Sequence, residues 1–202
     1  MRQKQTPTVV LPLLAAVLTI ACGGGVKHLS LRDDRLPIEA RRWLADAEDE
    51  TAIAKARVVD AEMTLEKIEN YRNTVVNALK DRWAGSRGGA EGLNAWKVFA
   101  SYIDERVNLA GLTLKAAVTA EDLAQMRLTQ ARAETAMRYD LAVYELLPIA
   151  EKVEALRGEV AKSTKVVEAQ RVKVEKSADE AWKAFHQFAQ KGGNTDALWF
   201  TY

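Results

Sequence analysis

Cysteine occurs once in 202 residues, histidine twice and proline four times. One cysteine forms no disulfide within the chain, and with two histidines it cannot assemble a Cys/His metal cluster. Neither sign of charge dominates, with 29 basic residues against 28 acidic ones and a net charge of +1. Proteins built to coat nucleic acid carry a clear basic excess, so that class is excluded. There is no H-E-x-x-H and no nucleophile elbow. The glycine-rich stretch Gly85–Gly92 lacks the Gly-Lys-Ser/Thr that closes a phosphate loop. No segment alternates apolar and polar residues between turn signals, so strands are not indicated. What remains is a chain that is 48% apolar, enough for a sizeable core in one large domain or two small ones.

The N-terminus reads as an address. Arg2 and Lys4 give it a positive start, and Val9–Ala21 is apolar apart from Thr19, with Pro12 inside the run. A charged start, an apolar stretch of about 7–15 residues and a small residue before the cut describe a secretory signal. The run is shorter than the roughly 20 residues that span a bilayer, which argues for cleavage rather than a permanent membrane helix. Residues 1–21 are therefore expected to be a signal peptide.

The end of that run is Leu18-Thr19-Ile20-Ala21-Cys22, followed by three glycines. It resembles the lipobox of bacterial lipoprotein precursors. The resemblance implies cleavage before Cys22, a diacylglycerol on its sulfur and acylation of its new amine. One departure is that the position three before the cysteine is usually Leu and here is Thr19. An ordinary secreted protein cut after Ala21 is the other reading, and it would leave an odd free thiol. The residue after the cysteine is Gly23, not Asp, and the resemblance then points to the outer membrane, facing the periplasm. Loss of residues 1–21 removes Arg2 and Lys4 and turns the net charge from +1 to −1. Residues 22–35, with glycines, Ser30 and mixed charges, are expected to be the lipidated cysteine and a flexible tether.

From residue 36 the periodicity is helical. Ala40, Leu44, Ala47, Thr51, Ala54, Val58, Ala61, Leu65, Ile68, Arg72, Val75 and Leu79 fall at alternating steps of four and three, all apolar but Thr51 and Arg72. That is a coiled-coil seam, and its alanines imply close helix approach. A second seam runs Ile149, Val153, Leu156, Val160, Ser163, Val167, Gln170, Val174. The expected fold is all-α, a coiled-coil domain over 36–191 with helices near 37–84, 93–117, 120–147 and 149–190. Pro37 suits a first helical turn. Four glycines in Gly85–Gly92 break the chain. Thr119 with Asp122, and Val118 against Leu123, suggest a helix start, against the alternative of an unbroken helix. Pro148 suggests a kink. Gly192-Gly193-Asn194 is a stop. Two architectures fit: an extended jointed hairpin of long antiparallel helices, or the same helices folded back into a four-helix bundle.

Residues 119–147 carry a second resemblance. Asp122-Leu123, Gln125, the Ala131/Ala136 ladder and Arg138-Tyr139-Asp140-Leu141 are similar to the helix after the periplasmic tip turn of outer-membrane efflux proteins of the TolC type. It implies a hairpin whose tip meets an adaptor protein. The similarity covers under a third of the mature chain, and members of that family are about twice as long and contain barrel strands.

Side chains with chemical potential have structural readings beside their functional ones. His186, in an aromatic run with Trp182, Phe185 and Phe188, reads as packing rather than as a base. The acidic group Asp46, Glu48, Asp49, Glu50 reads as a solvated face. The basic run Lys162, Lys165, Arg171, Lys173, Lys176 is interleaved with Glu159, Glu168 and Glu175, which suits a mixed exposed face. The aromatic C-terminal tail, residues 192–202 with Trp199, Phe200 and Tyr202, is either local packing or a docking tail. The expectation is a non-catalytic, lipid-anchored envelope protein with a scaffold or partner-docking role. Its membrane contact is the covalent lipid on Cys22. No other cofactor, metal, nucleic acid or small-molecule substrate is expected. An envelope partner or a second copy should bind at the tip, Leu112, Thr119 and Leu123, or at the tail. The alternatives are a hairpin component of an export or efflux assembly and, less favoured, a membrane-inserting helical toxin.

Overall fold

The computed structural model describes Leu29, residues 33–87 and residues 89–193. All regular structure among them is helical, as expected. Helix α1 spans Ile38–Tyr71, a π-helical turn spans Arg72–Val76 and α2 spans Asn77–Ala84. These three segments form one arm. Helix α3 spans Gly89–Arg138 and α4 spans Leu146–Gln190. At 1.5 Å per residue, α3 is about 75 Å long. It is the central helix: the first arm packs on it from one side and α4 from another, without backbone contact between those two. The molecule is a three-helix rod.

The seams explain this order. On α1, Ala40, Leu44, Thr51, Ala54 and Ala61 are buried, with alanine at every seventh position from 40 to 61. Alanine keeps the helix axes close, so even the Thr51 hydroxyl reaches the Ala124 carbonyl of α3 at 3.4 Å. On α4, Val153, Leu156, Gln170, Ala181, Ala184 and Phe188 are buried, carrying the expected seam to the end of the helix. Adjacent α3 residues serve the two neighbours. Leu123 packs with Val153 and Leu156 of α4, while Ala124 lies against Thr51 of α1. Buried Gln170 donates from Nε2 to the backbone carbonyl of Glu105 at 3.2 Å and also to its carboxylate, which fixes the α3–α4 register.

The π-turn corrects the first seam. Strict four-three spacing puts Arg72 and Val75 inside, but both are exposed. The wide turn takes up one extra residue, so Tyr71 and Val76 face inward and Leu79 and Trp83 follow. Arg72 instead reaches outward to Asp104 of α3. The Trp96 indole N–H donates to the Val76 carbonyl at 2.7 Å, at the end of the irregular turn.

Two breaks expected from the sequence lie elsewhere. There is no helix start at Thr119. Helix α3 runs through it, and the Thr119 hydroxyl donates back to the Lys115 carbonyl at 3.0 Å. The chain reverses at residues 139–145 instead, after a C-cap in which Asp140 adopts φ 50°. The amide of Leu141 bonds the Ala136 carbonyl at 2.8 Å and that of Asp140 bonds the Met137 carbonyl at 3.3 Å, a Schellman pattern. Pro148 makes no kink. It is the third residue of α4, where a missing N–H has no partner to lose. The stop at Gly192 stands as expected: Gly192 has φ 79°, and its amide bonds the Ala189 carbonyl. Helix α3 begins at Gly89, four residues before the expected start.

Thr135 near the end of α3 is fully buried, and its hydroxyl has no hydrogen-bond partner. Valine has the same branched shape without the hydroxyl. Thr135→Val is therefore expected to stabilise the fold by about 1 kcal/mol. Thermal melts followed by circular dichroism would read this as an upward shift, and a downward shift would count against an orphaned hydroxyl.

Candidate interaction surfaces

Three regions stand out on the rod. The first is the end where α2 gives way to α3, with Gly85, Ser86, Arg87 and Gly89. Val76, Leu79 and Trp83 meet Ala95, Phe99 and Ile103 of α3 and Ala181, Ala184 and Phe188 of α4. Here large aromatics bridge all three helices: Trp83 lies 6.0 Å from Phe99, 5.9 Å from Phe185 and 5.5 Å from Phe188, ring centre to ring centre. Gly92, buried in the first turn of α3, lets that turn approach the Trp83 carbonyl closely. The glycine cluster is thus partly a packing device as well as a turn. His186 is exposed on α4, with its ring edge-on to Trp182 at 4.4 Å. It packs on an aromatic, as expected, but on the outside.

The second region is the middle. A groove of ≈ 610 Å³ is floored by Ala110, Thr113, Ala117 and Ala120 of α3 and walled by Ala61 and Ile68 of α1, with Val174 of α4 at its edge. Small residues on α3 leave this space open. Leu112, Thr119 and Leu123, expected at a tip, all lie along the middle of α3. Leu112 and Thr119 are half-buried. Leu123 is core, 8% exposed, because α4 covers it. Next to it, burial raises the Asp122 carboxyl above its usual range; Glu121 and Glu159 add to this and Lys152 opposes it.

The third region is the end where the chain enters. Leu29 and Leu36 are buried with Ala40 and Leu44 of α1 and Ala131 and Ala136 of α3. Part of the stretch expected to be tether is therefore attached to the body. Asp33 is held here by Arg35, which donates to both carboxylate oxygens at 2.9 and 2.7 Å and lowers the carboxyl to about 2. In the connecting loop, Leu141, Ala142 and Tyr144 pack against the same cluster, while Val143 is 92% exposed. Leu147 in the first turn of α4 is 71% exposed, and Ile38 at the start of α1 is exposed too. Trp43, one turn up, faces the Arg138 guanidinium at 6.0 Å. The acidic group is only partly solvated: Glu48 accepts from Arg132 at 2.9 Å and Glu50 lies 3.8 Å from Arg127, both across the α1–α3 interface.

Val143, Leu147 and Ile38 are surface residues that the sequence reading missed. The signal lay in Asp140. An aspartate in the left-handed region ends α3 and turns the following apolar run into a loop. Cys22, Trp199, Phe200 and Tyr202 lie outside the described residues. Among the described residues, no helix is long and apolar enough to cross a membrane, and no group of His, Cys, Asp and Glu is placed to hold a metal ion. Searches against protein-family models, curated proteins and solved structures find no match to this chain.

Proposed function

We propose that the chain is a non-catalytic, exported lipoprotein whose helical rod acts as a scaffold or docking element in the cell envelope. The observation that carries this reading is Leu18-Thr19-Ile20-Ala21-Cys22, closing a short apolar run, with the packed body starting a few residues later. Acyl chains on Cys22 hold the protein on a membrane, because each buried methylene contributes about 0.8 kcal/mol and two or three chains act together. Gly23 after the cysteine favours the outer membrane, facing the periplasm. Seams that pack both arms on α3 on either side of its central groove favour a stiff body, which suits spacing or docking. The tail residues Trp199, Phe200 and Tyr202 of the sequence remain the proposed partner contact, with an envelope protein or a second copy as partner.

The alternative, a hairpin component of an export or efflux assembly, keeps its helices but not its turn at Thr119. Its partner would have to meet the rod at residues 85–87 or 139–145.

The test is expression of the full precursor in a bacterium fed an alkynyl fatty acid. The wild-type protein is expected to take up label and to sediment with membranes. Cys22→Ala is expected to take up none and to leave the membrane fraction. Equal sedimentation of an unlabelled Cys22→Ala protein would overturn the reading.

A further inference from the structure

The end of the rod where the chain enters differs from its flanks. Of the large apolar side chains exposed among the described residues, Val143 and Leu147 are the two most exposed, and both are at this end. Ile38 joins them there. Elsewhere exposed apolar residues such as Ile53, Val59, Val166 and Val172 are scattered along α1 and α4 among charged neighbours. The exposure of Val143 is a product of the loop. Its neighbours Ala142 and Tyr144 are tucked against the Leu36/Leu44 cluster, and in extended backbone the residue between two inward side chains faces out.

The length of chain before this end says what meets it. Leu29 is packed into the same cluster, 6% exposed. From Leu29 back to Cys22 is a span of about seven residues, at most ~25 Å even when fully extended. An acyl group on Cys22 therefore keeps this end within ~25 Å of the bilayer. The far end, with Trp83 and Phe188, lies about 70 Å away along the helices. We infer that the Val143/Leu147/Ile38 end is a second membrane contact that seats in the headgroup–acyl boundary of the bilayer holding the anchor, so that the rod stands upright on it. This inference rests on the lipid-anchor reading.

The charges at this end are mixed. Arg35, Arg41, Arg42 and Arg138 stand beside Asp33, Asp34, Glu39, Asp140 and Glu145. Long-range attraction to an anionic surface is therefore small, and the contact is apolar and local, guided by the tether. Its dependence on salt should be weak.

The experiment uses the full lipidated protein, in which Cys22 is blocked by its own modification. Single cysteines are introduced as Val143→Cys and Leu147→Cys, with Val59→Cys at mid-rod and Ser86→Cys at the far end as controls. Each carries an environment-sensitive fluorophore. The vesicles are mostly phosphatidylethanolamine with a minor share of phosphatidylglycerol. Labels at 143 and 147 are expected to shift to the blue and to be quenched several-fold more by nitroxide-bearing lipids than labels at 59 and 86. Quenching equal at all four positions would overturn the inference. So would a blue shift at 143 without lipid quenching, which would mean that a second copy or another protein covers this end. Flotation separates the two readings. Protein that floats with vesicles but is not quenched at 143 sinks only the upright contact. Protein that does not float and has a reactive thiol at Cys22 sinks the anchor and the contact together.

Discussion

Gly92→Ala is expected to destabilise the protein by about 3 kcal/mol, the upper part of the range for overpacking. The reason is where the new methyl would go. A Cβ on Gly92 falls on the Trp83 carbonyl oxygen and 2.8 Å from Cε2 of Phe188. Side chains relieve such overlap by changing rotamer, but a carbonyl in the last turn of α2 cannot. Relief needs α2 and α3 to separate, which loosens the Trp83–Phe99–Phe188 cluster they share. For a chain of this size the loss corresponds to a fall in melting temperature of roughly 6–12 °C. The control is Gly158→Ala, on the exposed face of α4, where a Cβ meets nothing within 4 Å. There alanine removes only the backbone-entropy cost of glycine and should stabilise by about 0.5–1 kcal/mol. The same substitution is thus expected to have opposite signs at two helical positions. If both raised the melting temperature, the close approach at Gly92 would be refuted.

Trp83→Ala should cost about 3–5 kcal/mol, the largest effect of any single truncation in the rod. Trp83 is 1% exposed and is the largest of the fully buried side chains. Its indole touches aromatic rings from both α3 and α4, and such ring pairs add about 0.5–1.5 kcal/mol each beyond the area they bury. The loss should also be local. Helix α1 is held on α3 by its own alanine seam, whereas α2 depends on Trp83, Leu79 and Val76. Hydrogen exchange is expected to speed up first over residues 72–84, before α1 is affected. Trp83→Phe, which keeps a ring, should lose distinctly less. Uniform acceleration over all three helices would show instead that the rod unfolds as one unit.

The all-α fold and both seams could be read from the spacing of Ala, Leu and Val, because burial on a helix is a matter of period. The α4 seam is followed residue for residue. The α1 seam is followed as far as Ile68, departs at Arg72 and Val75, and is met again at Leu79. Arg72, one of its two polar members, marked the fault, since a charged side chain there favours a π-turn that releases it to Asp104. The reversals were harder. Thr119 carries a cap-like residue pattern, yet a threonine inside a helix satisfies its hydroxyl on the preceding turn, so the pattern alone does not stop the chain. The true stop, Asp140, lacks the glycine that usually marks one, and left-handed aspartate is uncommon. Pro148 was visible, but whether it ends, starts or bends a helix depends on what precedes it. The exposed end at Val143 and Leu147 follows from that misplaced reversal. On a continuous helix those two residues would have counted as ordinary face positions.

The two flanking arms pack mainly on α3 and touch each other through the rings of Trp83, Phe185 and Phe188 at one end, and this sets how the rod carries load. The described chain enters at the Leu29/Leu36 end and leaves at Gly193, beside Phe188, at the opposite end. Tension between an anchor before Leu29 and anything grasping the C-terminus pulls along the helix axes. It must slide α1 against α3 and α3 against α4, so every layer from Ala40 to Phe188 resists together. Force applied sideways would instead peel one layer at a time. The same sequence is therefore built to be strong in pulling and weak in peeling, a property that belongs to a strut joining two attachments.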